Sequence, residues 1–182
     1  MALAHDAMNR GAAVTLVAAH IEVPAPSGVE VVKVSTAVEM HAAMTEMSSD
    51  FDIVIMAAAV ADYRPAQAGD KKLKKSALGE TPSISLIQNP DILAELGAEK
   101  HSYKLIGFAA ETESDLSILA DLATAKLSSK KCDAIVVNTV GKDSGFGNTE
   151  TTVHVVVPGG RIIESASGSK ASVAHAILSA IS

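Results

Sequence analysis

The sequence contains no tryptophan, only two tyrosines and three phenylalanines, and a single cysteine, Cys132. One cysteine cannot build a disulfide framework, and such sparse use of cysteine is typical of a reducing compartment. Proteins that bind nucleic acid rely on a basic surface and on aromatic side chains that stack on bases. A net charge of −6 and an aromatic content of 3% offer neither, so nucleic acid is excluded as a partner.

Long hydrophobic runs are absent as well. The longest uncharged apolar run, Ile53–Ala61, has nine residues, whereas a membrane-spanning helix needs about 20. The N-terminal stretch places His5, Asp6, Asn9 and Arg10 ahead of its apolar part, which is not the pattern of a signal peptide. We therefore predict a cytoplasmic protein with no membrane partner.

The 182 residues are 48% apolar, which suits one domain with a substantial core of small and branched aliphatic side chains. Short apolar runs predict buried strands at 13–18, 52–57, 104–109 and 133–137. Because these runs alternate with helical segments, the pattern predicts an α/β fold with a mostly parallel sheet and helices on both faces. Two further runs around Pro158–Gly160 predict a C-terminal β-hairpin.

Helices are predicted at 2–10, 115–131 and 170–181, and after a capping box formed by Thr36 and Glu39. A short helix is predicted with Asn89 as its cap and Pro90 at its first position. Residues 58–82 read as a long functional loop, and 83–88 as a half-exposed strand. The chain begins with a helix where a doubly wound fold usually opens with a strand, so the domain is either a variant or lacks its first βα unit.

Ligands of parallel sheets bind beyond the carboxyl ends of the strands, and the segment AAAVADYRP at 57–65 follows a predicted strand. Its small side chains would let a ligand approach the backbone, and Asp62 could hold a ribose hydroxyl or a metal-bound phosphate. The alternative interpretation is a small-residue strand end with an Asp–Arg pair on the surface.

Basic residues are concentrated just downstream. Arg64 and the lysines of the segment KKLKK at 71–75 make up five of the fifteen basic residues of an acidic chain. Such a cluster suits a polyphosphate or an anionic leaving group. A solvated loop is the alternative, since most runs of charge lie on the surface.

Two more segments could contribute to a site. The helix start at 89–93 offers N–H groups to an anion, although it could simply be a well-capped helix. Phe108 lies at another strand end and could form an apolar wall, while Lys126 and Lys130 share a helical face and could meet phosphates. An amphipathic helix with surface lysines would explain those two residues equally well.

Several other signals are missing. The six histidines have no metal-ligand spacing, and no G-x-S-x-G segment is present. The segment at 140–143 lacks the upstream glycine and the Ser or Thr of a phosphate-binding loop. The segment at 145–150 lacks the third glycine of a dinucleotide fingerprint. Cys132, before a predicted buried strand, is interpreted as a packed thiol.

Taken in order, five segments resemble the phosphopantothenoylcysteine synthetase family, the C-terminal domain of the bacterial bifunctional coenzyme A biosynthesis flavoprotein. They are AAAVADYRP (57–65), KKLKK (71–75), QNPDIL (88–93), IGFAAET (106–112) and K-x-x-x-K-x-x-D-x-I-V-V-N (126–138). The resemblance covers 1–182 as a single domain and implies a Rossmann-like three-layer sandwich that forms a homodimer. It implies that 4′-phosphopantothenate is activated by CTP as an acyl-cytidylate and then joined to L-cysteine.

The resemblance also implies roles for individual residues. Lys72 would be catalytic and would stabilise charge on the acyl-cytidylate as cysteine attacks. The implied CTP-binding residues are Met56, Ala57, Ala58, Asp62, Lys72, Pro90, Asp91, Ile92, Leu93, Phe108, Lys126 and Lys130. Mg²⁺ is expected on the CTP phosphates and not on protein ligands, and no FMN is expected in this domain. Fusion to a flavin-dependent decarboxylase in the natural gene is left open.

One departure from the family lies at the N-terminus, where the strand, the glycine-rich turn and an S-N-x-S-S-G-x-M-G segment have no counterpart. We therefore expect an N-terminally truncated domain that lacks a central strand and has impaired synthetase activity. A nucleotide-binding or dimerisation fragment without turnover is one alternative. A nicotinamide-dependent oxidoreductase is another, but it would need a glycine fingerprint and an acidic residue after the second strand, which is predicted at 30–34 and is followed by Ser35.

Overall fold

The structure is a computed structural model that describes residues 1–21, 23–67, 81–139 and 150–182. The helices within these ranges are α1 (Ala2–Asn9), α2 (Ala37–Met47), α3 (Ile92–Ala98), α4 (Leu116–Lys130) and α5 (Lys170–Ile181), with a 3₁₀ turn at Ser48–Asp50. The strands are β1 (Thr15–Ala18), β2 (Glu30–Lys33), β3 (Ile53–Met56), β4 (Tyr63–Pro65), β5 (Leu86–Gln88), β6 (Lys104–Glu111), β7 (Ala134–Thr139), β8 (Glu150–Val157) and β9 (Arg161–Ser169).

The central sheet has five strands in the order β3-β6-β7-β8-β9. Strands β3, β6 and β7 are parallel, with Met56 opposite Gly107 and Phe108 opposite Val136. Strand β8 is antiparallel to both β7 and β9, so four strands of this sheet run one way and β8 runs the other. The predicted α/β class, the mostly parallel sheet and the C-terminal hairpin are confirmed.

Helices cover both faces of this sheet because side chains of its strands alternate between two buried clusters. Leu105 and Ile135 belong to the cluster beneath α2, α3 and α4. Ile106 and Val136 belong to the cluster on the opposite face, which includes residues of α1 and α5. Full burial of each such side chain contributes about 1.5–3 kcal/mol, so the predicted core strands at 104–109 and 133–137 are the centre of the fold.

Strands β1 and β2 form a separate parallel pair. Among the described residues β1 pairs with β2 alone, and a cavity of about 530 Å³ lies between β1 and β3, with α2 on one side. The prediction that strand 13–18 is buried on both faces is wrong, because its flank borders this cavity and only Ala18 is buried. The absence of a central strand stays a prediction.

The segment between 58 and 88 departs from the predictions. Tyr63–Pro65 pairs antiparallel with Leu86–Gln88, so the predicted loop contains a strand. The strand predicted at 83–88 is exposed along its whole length and not on one face alone. The lysine cluster at 71–75 and the segments at 140–143 and 145–149 lie outside the described residues.

The predicted capping box of α2 is present with a shift of one residue. The Thr36 hydroxyl oxygen accepts a hydrogen bond from the Glu39 N–H at 3.1 Å, and the Glu39 carboxylate accepts one from the Ser35 N–H at 2.6 Å. The helix therefore starts where the sequence predicted. Among the residues that the structure describes, no helix is long and apolar enough to cross a bilayer.

Candidate active site

A cavity of about 210 Å³ lies beyond the end of β3 and beside Phe108 in the C-terminal half of the parallel strand β6. Its walls are the end of β3, the loop that follows it, the end of β5, the start of α3, Phe108 of β6 and Lys130 of α4. The predicted CTP-binding residues that line it are Met56, Ala58, Asp62, Pro90, Asp91, Ile92, Leu93, Phe108 and Lys130. Segments far apart in sequence therefore meet at one strand edge.

Three predicted site residues are not in this lining. Ala57 lines the larger cavity between β1 and β3, which adjoins the smaller one through Met56 and Ala58. Lys126 lies one turn before Lys130 on α4, where its ammonium group donates to Glu111 Oε1 at 2.7 Å. Lys72 lies outside the described residues.

The start of α3 differs from the prediction. The N-cap is Asp91, whose Oδ1 accepts a hydrogen bond from the Ala94 N–H at 3.0 Å. Helix α3 consequently begins at Ile92, and Pro90 precedes the cap instead of occupying the first helical position. The predicted cap, Asn89, has its side chain committed to other segments, which is why the helix starts two residues later.

Asn89 is a site residue whose role the sequence analysis missed. The residue is only 7% exposed, and its Nδ2 donates to the Ala61 carbonyl at 2.7 Å. Arg64 Nη1 donates to Asn89 Oδ1 at 2.8 Å and to the Gln88 carbonyl at 3.0 Å. The backbone N–H of Asn89 donates to the Asp62 carbonyl at 2.7 Å. The only signal in the sequence was an amide side chain next to a proline, which local rules assign to a helix cap.

The two lysines of α4 are each paired with a carboxylate. Lys130 Nζ donates to Asp91 Oδ2 and Lys126 Nζ donates to Glu111. Burial acts to raise the pKa of Asp91, but hydrogen bonds from Lys130 and the Ala94 N–H outweigh it and hold that pKa below its usual range. Asp91 is therefore charged at neutral pH, and its pairing is lost as pH falls through the lowered pKa. Such partly exposed pairs contribute at most about 1 kcal/mol each.

Glycines allow α3 to pack closely beside the cavity. A Cβ at Gly107 would lie 2.6 Å from Ile135 Cδ1 and 2.7 Å from Leu93 Cδ2. A Cβ at Gly97 would lie only 1.9 Å from the carbonyl oxygen of Lys130. Helix α3 is thus held against both β6 and the end of α4, and this close packing sets the position of Asp91 relative to Lys130.

Two observations concern the metal-ligating side chains and the cysteine in the described part of the chain. No group of three or more His, Cys, Asp or Glu side chains within it is placed to hold a metal ion. Burial, and next the charge of Asp133, raise the pKa of the Cys132 thiol to about 12. Because that thiol stays protonated at neutral pH, its interpretation as a packed side chain holds.

Comparison with known proteins gives the family. The whole chain, residues 1–182, matches the family described as DNA/pantothenate metabolism flavoprotein C-terminal domain. It is 38% identical over 187 residues to the coenzyme A biosynthesis bifunctional protein CoaBC of Mycobacterium bovis, which covers 99% of this chain and 44% of that protein. For CoaBC of Vibrio vulnificus the identity is 39% over 161 residues, covering 87% of this chain and 39% of that protein. The chain therefore spans less than half the length of these relatives.

Solved structures agree with this assignment. The crystal structure of the C-terminal domain of CoaBC superimposes with a TM-score of 0.78 at 34% identity, covering 99% of this chain and 80% of that one. A DNA/pantothenate metabolism flavoprotein from Streptococcus pneumoniae gives the same TM-score at 18% identity, with 99% and 85% coverage, which shows the shared fold. Full-length agreement in sequence, together with a cavity lined by the motif residues, leads to one conclusion: the chain belongs to the DNA/pantothenate metabolism flavoprotein C-terminal domain family.

Proposed function

We propose that this chain is a phosphopantothenate–cysteine ligase that joins 4′-phosphopantothenate to L-cysteine at the expense of CTP, in coenzyme A biosynthesis. One observation carries the proposal. Residues from four of the motif segments converge on one cavity at the carboxyl ends of parallel strands, where ligands of such sheets bind. The relatives named for coenzyme A biosynthesis match most or all of the chain, which supports the same pathway.

The cavity has the chemical character that a pyrimidine nucleotide needs. Ile92, Leu93 and Phe108 offer an apolar lining for the base. The Asp62 carboxylate can accept hydrogen bonds from ribose hydroxyls, and the backbone beyond Met56 is open to close approach because alanines follow it. Lys130 is available for the phosphates once its ammonium group exchanges the Asp91 carboxylate for a phosphate oxygen.

The proposed reaction has two steps. A carboxylate oxygen of 4′-phosphopantothenate attacks the α-phosphorus of CTP, forming an acyl-cytidylate as the bond to pyrophosphate breaks. The cysteine amine then attacks the acyl carbon, losing a proton as the amide forms and CMP leaves. The protein must position the reactants and stabilise developing negative charge, which is the role proposed for Lys72, Lys126 and Lys130. Mg²⁺ bound to the triphosphate would neutralise part of its charge.

Replacing Lys130 by glutamine is expected to weaken CTP binding about tenfold or more. A hydrogen bond to a charged group contributes about 1.5–3 kcal/mol, and 1.4 kcal/mol is a factor of ten in affinity. The freed Asp91 carboxylate would add repulsion. Isothermal titration calorimetry with CTP and Mg²⁺ measures the change.

Lys131→Gln is the matched control for that experiment. The same charge is removed one residue later, at an exposed position outside the cavity lining. Its CTP affinity is expected to stay within about twofold of that of the unaltered chain, given the weak effect of exposed charges. Equal losses in the two variants would contradict a specific contact and leave only a general effect of net charge.

The function itself is tested with the unaltered chain. Calorimetry with CTP, ATP and NAD is expected to show a preference for CTP, and pyrophosphate release is expected only when phosphopantothenate is present. A preference for NAD would favour an oxidoreductase and contradict the proposal. Binding of CTP without any pyrophosphate release would leave a nucleotide-binding domain without turnover.

Several finer points belong to the same proposal. Large apolar side chains are exposed on and near the β4–β5 ribbon, namely Tyr63, Ile84, Leu86 and Ile87. Such grouping favours a protein interface, which supports the proposed homodimer, and sedimentation of the calorimetry sample tests it. A cytoplasmic location, the Rossmann-like character of the nucleotide site and natural fusion to a decarboxylase domain are further parts of the proposal.

A further inference from the structure

Building on the proposed function, we infer that Asn89 is a positioning residue that sets the shape of the nucleotide cavity, with Arg64 orienting its side chain. Neither residue was among the predicted ligands. The inference rests on four hydrogen bonds that join residues 61–64 to residues 88 and 89.

The side-chain amide of Asn89 lies in a buried residue. An asparagine side chain has two donors and an acceptor, and a buried one is costly unless these are satisfied. Here Nδ2 donates to the Ala61 carbonyl and Oδ1 accepts from Arg64. The guanidinium group of Arg64 can only donate hydrogen bonds, so the Asn89 side chain must turn its Oδ1 toward Arg64. The NH₂ group of Asn89 then faces the Ala61 carbonyl.

Asn89 holds the loop at Ala61 and Asp62, which forms one wall of the cavity. Ala61 and Asp62 belong to the stretch after β3 that is neither helix nor strand, so its backbone has no ladder of hydrogen bonds. Both of their carbonyls accept from Asn89, one from the side chain and one from the backbone N–H. Asn89 therefore replaces the missing secondary structure for this part of the cavity wall.

Asn89 is also connected to the wall of the cavity that the start of α3 forms. Asn89 directly precedes Pro90 and the N-cap Asp91, which line the far side of the same cavity. A single residue thus ties the loop that carries Asp62 to the start of α3. Misplacement of groups in a site by about 1 Å can lower a reaction rate as much as 100-fold. Because the connection through Asn89 sets the distance between the two walls, its loss is expected to impair the nucleotide site more than overall folding.

The experiment compares Asn89→Ala, Arg64→Met and the double variant, with CTP and Mg²⁺ as the probe in calorimetry. Each single variant is expected to bind CTP about tenfold more weakly. The double variant is expected to lose little beyond either single one, because Arg64 acts through Asn89. Losses that multiply would overturn the arrangement and make Arg64 an independent contact.

Two further variants separate positioning from other effects. Arg64→Lys should keep most of the affinity, since both Arg64 bonds come from one nitrogen and an ammonium group can replace it. Ile177→Val, in the core away from the cavity, should lower the thermal midpoint yet leave CTP affinity unchanged. If Ile177→Val weakens CTP binding as much as Asn89→Ala, the role of Asn89 is merely structural and the inference is wrong.

Hydrogen exchange without nucleotide makes the inference independent of the ligase proposal. The backbone amides of Val60 and of position 89, which donate to the Ala58 and Asp62 carbonyls, are expected to exchange at least tenfold faster in Asn89→Ala than in the unaltered chain. Unchanged exchange would overturn the inference, whatever the chain binds. Failure of the unaltered chain to bind CTP would instead overturn the proposed function, together with the nucleotide part of this inference.

Discussion

Lys72→Gln is expected to reduce the formation of phosphopantothenoylcysteine by about 100-fold or more while pyrophosphate release in the first turnover changes far less. The reason is electrostatic. Removal of one group that stabilises developing charge typically costs about 100–1000-fold in rate, and Lys72 is proposed to act as cysteine attacks the acyl-cytidylate. A quenched-flow assay that follows pyrophosphate and product separately measures both steps.

Lys74→Gln provides the control within the same basic segment, 71–75. It removes an identical charge two residues away, so any general loss of attraction for CTP is the same in both variants. We expect product formation by Lys74→Gln to stay within about threefold of the unaltered chain, because no contact with the acyl-cytidylate is proposed for Lys74 and only its contribution to the general attraction for CTP is lost. If CTP binds but Lys72→Gln couples cysteine normally, the catalytic assignment is wrong.

Gly97→Ala is expected to lower stability by about 2–3 kcal/mol, although alanine is the better helix former. Propensity alone would favour alanine by about 1 kcal/mol. The added Cβ, however, would lie 1.9 Å from the Lys130 carbonyl oxygen, so α3 and α4 must separate. Overpacking costs about 1–3 kcal/mol and occasionally more, and for a backbone contact this short we expect about 3–4 kcal/mol, which exceeds the gain in propensity. For a chain of this size the loss corresponds to about 4–12 °C in Tm, which differential scanning calorimetry measures.

Ala98→Gly is the informative counterpart, since Ala98 is the exposed last residue of the same helix. If propensity governed both positions, Gly97→Ala would raise Tm and Ala98→Gly would lower it. The structure predicts a large fall for the first and a small fall for the second. Gly97→Ala should also weaken CTP binding, because the shift moves Asp91 and Lys130 apart, and a stabilised variant with full affinity would refute the close packing.

The central strands could be predicted from sequence because their side chains are buried on both faces of the sheet. Residues 134–137 are all apolar, and these four positions of β7 are all buried. Helix α4 was predictable for a local reason: Asp115 caps it through the N–H groups of Ser117 and Ile118. Where the physical cause lies within a few residues of its effect, the pattern is sufficient.

The role of Asn89 could not be predicted in this way. Its side-chain partners Ala61 and Arg64 lie 28 and 25 residues away, whereas the capping rule considers only the next helix. The contact between Glu111 and Lys126 could not be predicted either, because these residues lie 15 positions apart in sequence. Strand β6 runs two residues beyond the predicted end and brings Glu111 to Lys126. Nothing in the spacing of the lysines reveals that carboxylate.

The pairing of Lys126 and Lys130 with carboxylates has a consequence for selectivity. Each ammonium group already holds an anion, so an incoming ligand must displace Glu111 or Asp91 and not water alone. A small anion gains little from such an exchange, whereas in the proposed mode of binding a nucleotide would also bury its base against Ile92, Leu93 and Phe108. Inorganic phosphate is therefore expected to compete poorly with CTP in a displacement titration, and strong competition would show that the carboxylates give no protection. Competition from Glu111 and Asp91 thus favours large anions that bind through several groups over small anions such as phosphate.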